Sequence, residues 1–258
     1  MGVKDKVVVL TGAASGIGRT TAVLFAKEGA KQALSDVNED GGKETLEMVK
    51  KVGGDAFFMK CDVTKGTEVK EMVDKTLEIY GKINILINNA GVVRVGQIED
   101  MDEEEYDLLL SSNLKGPYFC CHYIVPLLKK QKSGVIINVA SIAGHVGQRD
   151  HALYCSTKHG LRGMTKALAL DLAPYNVRVN SVSPGATDTP MLVSDVTKQA
   201  KDRGLSYDVV KKEFEEEGVL GRWADPMEIS KGILFLASED SSYMTGADLL
   251  LDGGWKAQ

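Results

Sequence analysis

The sequence lacks the features that mark metal-binding, secreted and membrane proteins. Its four cysteines, at positions 61, 120, 121 and 155, form no Cys-x-x-Cys pair and have no histidine at a zinc-binding spacing. We therefore expect no metal site and predict that the cysteines are small buried thiols. The chain contains no run of 18 or more apolar residues, and an apolar strand begins at Lys6 without an apolar leader before it. These absences predict a cytoplasmic protein that does not associate with membranes.

An excess of positive charge is also missing. The chain has 31 Lys and Arg residues against 36 Asp and Glu residues, a net charge of -5, which argues against nucleic acid as a partner. Only six prolines occur, and no repeat, low-complexity segment or Ser/Gly-rich linker divides the chain. With 258 residues that are 43% hydrophobic, residues 1–258 are predicted to form one domain with a sizeable core.

Short apolar runs alternate with helical segments along the chain. Nearly all-apolar runs are typical of strands that are buried on both faces of a parallel sheet. We predict strands at 6–10, 32–35, 56–59, 83–87, 134–139, 177–182 and 249–251. Helices are predicted at 17–28, 41–52, 67–80, 103–130 and 151–173. Repeated strand–helix units of this kind predict an α/β, doubly wound, Rossmann-like parallel sheet.

Two segments depart from this alternation. Pro126 interrupts the long helical segment, so we expect a kink or a break there. The segment 187–218 is mixed in charge and has apolar residues at loosely helical spacing. A structureless loop of that length is unusual in a compact domain, so we predict one or two helices that form a lid over a substrate pocket.

A glycine-rich turn connects the first strand to the first helix. Gly12, Gly16 and Gly18 are spaced Gly-x-x-x-Gly-x-Gly, with Ser15 and Ile17 among them. In this context glycines let the backbone approach a pyrophosphate at the positive N-terminus of a helix. An ordinary glycine-rich turn is the alternative. The flanking strand and helix favour a dinucleotide site.

Asp36 lies at the end of the second predicted strand, where a carboxylate accepts hydrogen bonds from the hydroxyls of an adenosine ribose. A 2′-phosphate would be repelled there, and neither Ser15 nor Val37 supplies a positive charge to attract one. These positions favour NAD over NADP. The alternative is a turn residue that precedes Asn38.

Tyr154 and Lys158 stand four residues apart in a predicted helix and so share one helix face. A free phenol has a pKa of about 10, and a neighbouring ammonium lowers that pKa toward the working pH. By itself the pair also fits a solvated helix surface. Together with the glycine turn and Asp36, it indicates an enzyme that transfers a hydride.

By these features the chain resembles the short-chain dehydrogenase/reductase family over nearly its whole length. The motifs that carry the resemblance occur in order: the glycine turn at 11–18, Asp62-Val63, Asn88-Asn-Ala-Gly91, Asn113, Ser141, Tyr154 with Lys158, and Pro184-Gly185 with Thr189.

The resemblance implies a role for each motif. Asp62 and Val63 would hold the adenine. The residues expected around the ribose, the centre of the cofactor and the nicotinamide are Asn88, Asn89, Ala90, Gly91, Tyr154, Lys158, Pro184, Gly185, Thr187 and Thr189. The catalytic set would be Asn113, Ser141, Tyr154 and Lys158. In it Ser141 hydrogen-bonds the substrate oxygen, Tyr154 exchanges its proton, Lys158 lowers the tyrosine pKa and binds the ribose, and Asn113 anchors a water relay to Lys158.

Ordinary structural roles are the alternatives for three of these residues. Ser141 could end a strand or cap a turn, Asn113 could satisfy a helix backbone group, and Thr189 could be turn chemistry before Pro190. The polar residues His145, Gln148, Arg149 and His151, and also Arg94, fit either substrate contacts or solvated surface.

The leading hypothesis is an NAD-dependent oxidoreductase that interconverts a secondary alcohol and a ketone. A cyclic or aliphatic alcohol, a polyol or sugar, and a steroid all remain open as the small-molecule substrate. The alternative is a 3-oxoacyl-[acyl-carrier-protein] reductase, against which Asp36 argues. A sensor that binds NAD without turnover would not need the catalytic set. The resemblance further implies a homotetramer.

Overall fold

A seven-stranded parallel sheet forms the centre of the computed structural model, which describes residues 2–257. The strand order is β3-β2-β1-β4-β5-β6-β7. The strands are β1 (Val7–Thr11), β2 (Lys31–Asp36), β3 (Asp55–Lys60), β4 (Ile85–Asn88), β5 (Gly134–Val139), β6 (Val177–Pro184) and β7 (Asp248–Leu251). The order reverses between β1 and β4, which leaves a crevice at the carboxyl ends of these two strands.

Helices cover both faces of the sheet. They are α1 (Gly16–Lys27), α2 (Glu39–Lys51), α3 (Gly66–Tyr80), α4 (Glu103–Leu110), α5 (Gly116–Gln131), α6 (Ala152–Leu172), α7 (Pro190–Arg203), α8 (Tyr207–Glu217) and α9 (Pro226–Ala237). The core on one face joins α1, α2 and α9, and the core on the other joins α3, α5 and α6. Successive residues of a strand point to opposite faces, so Val8 belongs to the first core and Val9 to the second. The predicted doubly wound fold is confirmed.

The predicted break in the long helical segment lies elsewhere than expected. Pro126 is inside α5, which continues through it, so the helix does not break there. The regular α-helix is instead interrupted at Ser111–Lys115, a π-helical turn in which the backbone N–H of Gly116 donates to the carbonyl of Ser111. The side chain of Asn113 holds this turn, because it bonds to the backbone of Val92 and to Thr157.

Helix α9 was not predicted from the sequence. A signal for it is present, because Asp225 and Glu228 form a capping box and Pro226 occupies the first helical position. The apolar residues of α9, among them Ile229 and Ile233, pack in the same core as α1. Helix α9 therefore packs against α1, the helix that begins at the glycine turn.

The segment 187–218 forms the predicted helical lid, made of α7 and α8. It has a small core of its own that contains Val196, Ala200 and Val210, with Phe214 and Trp223 packed against it. Within residues 2–257, no helix combines the length and apolar character needed to cross a bilayer.

Candidate active site

A cavity of about 370 Å³ opens where the carboxyl ends of the central strands face the lid. It brings together residues from the whole length of the chain. The predicted site residues that line it are Gly12, Ser15, Gly16, Ile17, Gly18, Asp36, Asp62, Val63, Asn89, Ala90, Gly91, Ser141, Tyr154, Lys158, Pro184, Gly185, Thr187 and Thr189.

The glycine turn between β1 and α1 forms one end of this cavity. Gly12 has a φ of +69°, and a Cβ on Gly18 would lie 1.9 Å from the carbonyl oxygen of Gly12, so side chains are excluded for steric reasons. The amide of Asn89 fixes the turn by donating to the carbonyls of Thr11 and Gly12 at 3.0 and 2.9 Å. Ser15, at the N-cap of α1, makes no side-chain cap hydrogen bond. The backbone N–H groups of the first turn of α1 are therefore available to an anion.

The carboxylate of Asp36 lies at the end of β2, beside the glycine turn. Its two oxygens accept hydrogen bonds from the backbone N–H groups of Ala14 and Asn38, both at 2.9 Å, and these bonds fix its orientation. Arg19, in the first turns of α1, directs its guanidinium to the carbonyl of Ala14 and to Glu44 of α2. This pairing occupies the positive charge nearest in sequence to the turn, so the charged side chains that line this end of the cavity are the carboxylates of Asp36 and Asp62.

Asp62 and Val63 follow β3 and line the same end of the cavity. Asp62 accepts hydrogen bonds from the backbone and hydroxyl of Thr64 at 3.0 and 2.8 Å, and Glu68 accepts one from the backbone N–H of Asp62 at 2.8 Å. These bonds hold the loop after β3 in a fixed conformation.

Asn88 does not line the cavity, in contrast to the expectation from the sequence. Its side chain is buried within the sheet and donates to the amide oxygen of Asn138 at 2.8 Å. The physical reason is its position inside β4, where it points between the strands and the helices, whereas Asn89 has already left the strand. Asn89, Ala90 and Gly91 form the wall instead.

Ser141, Tyr154 and Lys158 converge at the other end of the cavity. Ser141 follows β5 and accepts a hydrogen bond from the backbone N–H of Ala143 at 3.1 Å, so it also caps the following turn. Tyr154 and Lys158 are one turn apart on α6, with the Lys158 ammonium 5.6 Å from the centre of the Tyr154 ring. The ammonium donates to the carbonyl of Val139 at 2.9 Å.

Burial shifts the pKa values of both groups toward their neutral forms. It raises the pKa of Tyr154 to about 12, although hydrogen bonding with Ser141 acts in the opposite direction. It lowers the pKa of Lys158 to about 8. Burial dominates the pKa of Tyr154 in this arrangement, and the ammonium of Lys158 bonds to the Val139 carbonyl rather than to the phenol. Tyr154 is protonated at neutral pH in this state.

Asn113 is buried next to the cavity and does not line it. Its side-chain oxygen accepts from the backbone N–H of Val92 at 2.8 Å, and its amide nitrogen donates to the Val92 carbonyl and to the hydroxyl of Thr157 at 2.8 and 3.1 Å. These bonds tie the loop after β4 to helix α6, which carries Tyr154. Asn113 therefore helps to position the helix that carries Tyr154 and Lys158.

Thr189 joins the cavity to the lid. It is the N-cap of α7, where its hydroxyl accepts from the backbone N–H of Leu192 at 3.3 Å and donates to the carbonyl of Thr187 at 3.2 Å. A Cβ on Gly16 would lie 3.0 Å from the Thr189 methyl group, so the start of the lid packs directly on the glycine turn.

The polar residues that the sequence assigns either to substrate contacts or to solvated surface divide into two groups. Gln148 and His151 line the cavity. His145 bonds to Asp248 at 2.6 Å and Arg94 to its neighbour Val93 at 2.8 Å, and neither they nor the exposed Arg149 is among the cavity-lining residues. Asp195, Phe214 and Trp255 also line the cavity and were not predicted.

Comparison with known proteins agrees with this geometry. A family model described as Enoyl-(Acyl carrier protein) reductase matches residues 12–256. An uncharacterized oxidoreductase of Thermotoga maritima is 41% identical, with 98% of both chains covered. The 3-oxoacyl-[acyl-carrier-protein] reductase FabG of the same organism is 38% identical, covering 98% of this chain and 99% of its own. Cyclopentanol dehydrogenase of a Comamonas species is also 38% identical, and the match covers 99% of this chain and 98% of that protein.

Two solved structures superpose closely on this chain. Levodione reductase gives a TM-score of 0.94 at 31% identity, with 98% of both chains covered. NAD+-bound xylitol dehydrogenase gives 0.94 at 33% identity, covering 98% of this chain and 100% of its own. The chain belongs to the short-chain dehydrogenase/reductase family.

The cavity of this short-chain dehydrogenase/reductase fits a dinucleotide cofactor by its own chemistry. The glycine turn excludes side chains, the first backbone N–H groups of α1 are available to a pyrophosphate, and a fixed carboxylate stands at the end of β2. In the described range, no cluster of three or more His, Cys, Asp or Glu side chains is arranged to hold a metal ion. All four cysteines are buried, as predicted.

Proposed function

We propose that this short-chain dehydrogenase/reductase is an NAD-dependent enzyme that interconverts a secondary alcohol and a ketone. The observation that carries the proposal is the convergence of Ser141, Tyr154 and Lys158 in the same cavity as the glycine turn and Asp36. The glycine turn and Asp36 suit a nucleotide, and the other three residues suit the proton transfer that accompanies the redox step.

The chain's own residues handle the proton. In the direction of oxidation, the phenolate form of Tyr154 takes the proton of the substrate hydroxyl; in reduction the phenol form gives its proton to the carbonyl oxygen. Ser141 donates a hydrogen bond to the same oxygen, where negative charge develops. Burial keeps Tyr154 protonated in this structure, so oxidation requires its pKa to fall when cofactor and substrate bind. The ammonium of Lys158, 5.6 Å from the centre of the phenol ring, is the positive charge placed to favour the phenolate then. A nicotinamide cofactor held in this cavity would supply the acceptor for the hydride of the carbinol carbon.

NAD is the proposed cofactor because the charged group at the ribose end is a carboxylate. A 2′-phosphate beside Asp36 would meet a negative charge, and Arg19 is already paired with Glu44 on α2. The similarity to NAD+-bound xylitol dehydrogenase supports the same choice.

The experiment is a titration of the purified protein with NADH and with NADPH, followed by cofactor fluorescence. A panel of secondary alcohols, with cyclopentanol, cyclohexanol and xylitol among them, is then offered with NAD+. We expect tighter binding of NADH than of NADPH, and NADH formation with at least one alcohol. Tighter binding of NADPH, or no turnover of any secondary alcohol or ketone, would contradict the proposal.

A second candidate function is reduction of 3-oxoacyl groups on a carrier protein. One observation favours it, the 38% identity to a FabG reductase, which equals the identity to cyclopentanol dehydrogenase. Turnover of a 3-oxoacyl thioester with NADPH, together with no activity on ring alcohols, would decide for this candidate. The lid and Asp36 favour the first proposal.

We also propose that the enzyme is a homotetramer. Large apolar side chains are exposed on the outer faces of α4, α5 and α6, namely Tyr106, Tyr118 and Leu170, with 45%, 50% and 79% exposure. Burial of such side chains between subunits is a common source of stability in oligomers. Light scattering coupled to size exclusion tests the proposal, and a monomer mass would contradict it.

A further inference from the structure

A histidine–carboxylate pair lies in the cavity wall beside Tyr154 and has no part in the proton transfer described above. The side chains of His151 and Asp195 are only 5% and 7% exposed, and Nε2 of His151 is 3.4 Å from Oδ2 of Asp195. The His151 ring meets the Tyr154 ring edge to face, with centroids 6.2 Å apart. The pair therefore borders the position of the reacting alcohol.

Both nitrogens of His151 face oxygen acceptors. Nδ1 is 2.6 Å from the carbonyl oxygen of Arg149, and Nε2 faces the carboxylate of Asp195. A neutral imidazole has only one N–H, so this arrangement favours the doubly protonated imidazolium. Burial acts to lower the pKa of His151, but the hydrogen bonds to Asp195 and to the Arg149 carbonyl outweigh it, and the net direction is upward. His151 thus neutralises the buried charge of Asp195.

The carboxylate of Asp195 retains capacity to accept hydrogen bonds. Two carboxylate oxygens offer about four acceptor positions. Gln199 donates to Oδ1 at 2.9 Å, and His151 faces Oδ2. Asp195 lines the cavity, as does Gln148 from the loop before α6. A hydroxyl group on a substrate would find a strong acceptor here.

The charge of this wall disfavours anionic substrates. Asp195 balances His151, and both act electrostatically on Glu217 of α8. Burial raises the pKa of Glu217 to about 7, so near neutral pH the three groups together are neutral or negative. The cavity lining also has an apolar part that includes Leu192, Phe214 and Trp255, whose side chains suit a hydrocarbon ring or chain.

We infer that Asp195, held by His151, is a specificity-determining residue that accepts a hydrogen bond from a second hydroxyl of the substrate. The preferred substrates are then neutral diols or polyols, rather than mono-alcohols or hydroxy acids. This inference rests on the proposed function, because it names the substrate class of the same site.

The test compares three ring alcohols of one size: cyclohexanol, trans-1,4-cyclohexanediol and trans-4-hydroxycyclohexanecarboxylate. For the wild-type enzyme with NAD+, we expect kcat/KM for the diol to exceed that for cyclohexanol about tenfold or more, as expected for a hydrogen bond to a charged group. We expect the carboxylate to be the poorest substrate. In Asp195→Ala the ratio of kcat/KM for the diol to kcat/KM for cyclohexanol should fall to about one, because the ratio isolates the effect of the second hydroxyl from any general change in rate.

Asp195→Asn and Asp202→Asn complete the series. The asparagine at 195 keeps an acceptor oxygen and removes the charge, so it should retain part of the preference for the diol and improve turnover of the carboxylate. Asp202 is an exposed residue of the same helix, paired with Lys198, and Asp202→Asn should match the wild type. A merely structural role of Asp195 would lower the rates for diol and cyclohexanol alike, and that result would overturn the inference.

A binding measurement separates failure of the inference from failure of the proposed function. The diol and cyclohexanol are titrated calorimetrically into the wild-type protein saturated with NADH. Tighter binding of the diol that is lost in Asp195→Ala supports the inference even where no ring alcohol is oxidised, in which case the proposed reaction alone fails. Equal binding of the two alcohols overturns the inference even where both are oxidised.

Discussion

The ammonium of Lys158 donates a 2.9 Å hydrogen bond to the carbonyl oxygen of Val139, the last residue of β5. One turn earlier on the same helix is Tyr154, whose ring centre is 5.6 Å from that ammonium. The bond anchors α6 to the sheet one turn from the Tyr154 phenol. It also keeps a positive charge in a buried place, which carries a measurable cost in stability.

Replacement of Lys158 by Met should stabilise the ligand-free protein at neutral pH. The pKa of Lys158 falls from 10.5 to about 8 on folding, so below pH 8 the folded state carries a buried ammonium that the unfolded state solvates. We expect a gain on the order of 1–3 kcal/mol at pH 7, after the loss of the bond to Val139 is subtracted. The gain should decrease as the pH rises from 8 toward 10.5, because the Lys158 side chain is then already neutral in the folded state and the unfolded state loses its proton over this range, until the amine is neutral in both states above 10.5.

Urea unfolding at several pH values measures this effect. Lys166→Met, at an exposed position on the same helix, is the control and should show no such pH dependence. A Lys158→Met protein that is less stable than the wild type across the whole range would show that the bond to Val139 outweighs the buried charge.

Replacement of Tyr154 by Phe should abolish most turnover and leave cofactor binding intact. The substitution removes only the hydroxyl that exchanges the proton, and a positioned acid or base is worth roughly 10²–10⁴-fold. The measurements are kcat with a secondary alcohol and the NADH Kd from fluorescence. Unchanged kcat would exclude Tyr154 as the acid–base residue.

Replacement of Asp36 by Asn should reduce discrimination between the two cofactors. The amide keeps one acceptor for a ribose hydroxyl and removes the charge that repels a 2′-phosphate. We expect the ratio of the NADPH Kd to the NADH Kd to fall about tenfold, a change in free energy of about 1.4 kcal/mol. Asp40→Asn, at an exposed position on α2, is the control. An unchanged ratio would mean that Asp36 does not contact the ribose.

Two glycine substitutions should act in opposite directions. A Cβ on Gly18 would lie 1.9 Å from the Gly12 carbonyl oxygen, so Gly18→Ala must displace the glycine turn and should weaken NADH binding and lower stability. Gly163 lies inside α6, and a Cβ added there would meet nothing within 4 Å, so Gly163→Ala should add about 0.5–1 kcal/mol of stability. Thermal unfolding with and without NADH measures both. Equal behaviour of the two variants would contradict the steric argument.

Much of the fold was predictable because the strands are short apolar runs between helical segments. The interruption of the helical stretch 103–131 was not predictable at its actual position. The sequence points to Pro126 as the place of interruption, whereas in the structure the interruption lies at the π-helical turn held by Asn113. The bonds from Asn113 to Val92 and Thr157 connect segments far apart in the chain, and no local pattern reports them. Helix α9 was predictable in principle from Asp225, Pro226 and Glu228.

The residues of the candidate site also divide into those that the sequence could identify and those that it could not. Residues in short motifs, such as Gly12 to Gly18 and Tyr154 with Lys158, were identifiable because their spacing itself carries the chemistry. Asp195 and Trp255 were not identifiable, because they reach the cavity only through the placement of the lid and the C-terminal segment. The rise in the pKa of Tyr154 also depends on burial, which a sequence pattern does not report.

The reversal of strand order between β1 and β4 has a consequence for how the chain folds during synthesis. The Val7 backbone bonds to the side chain of Asn84, 77 residues later, and Leu10 pairs with Ile87. During synthesis, β1 emerges early and keeps one hydrogen-bonding edge open until β4 follows, and an open strand edge invites wrong partners. The nucleotide crevice exists only after that edge is closed. A nucleotide in the crevice would therefore recognise the completed sheet and would select finished molecules over nascent ones.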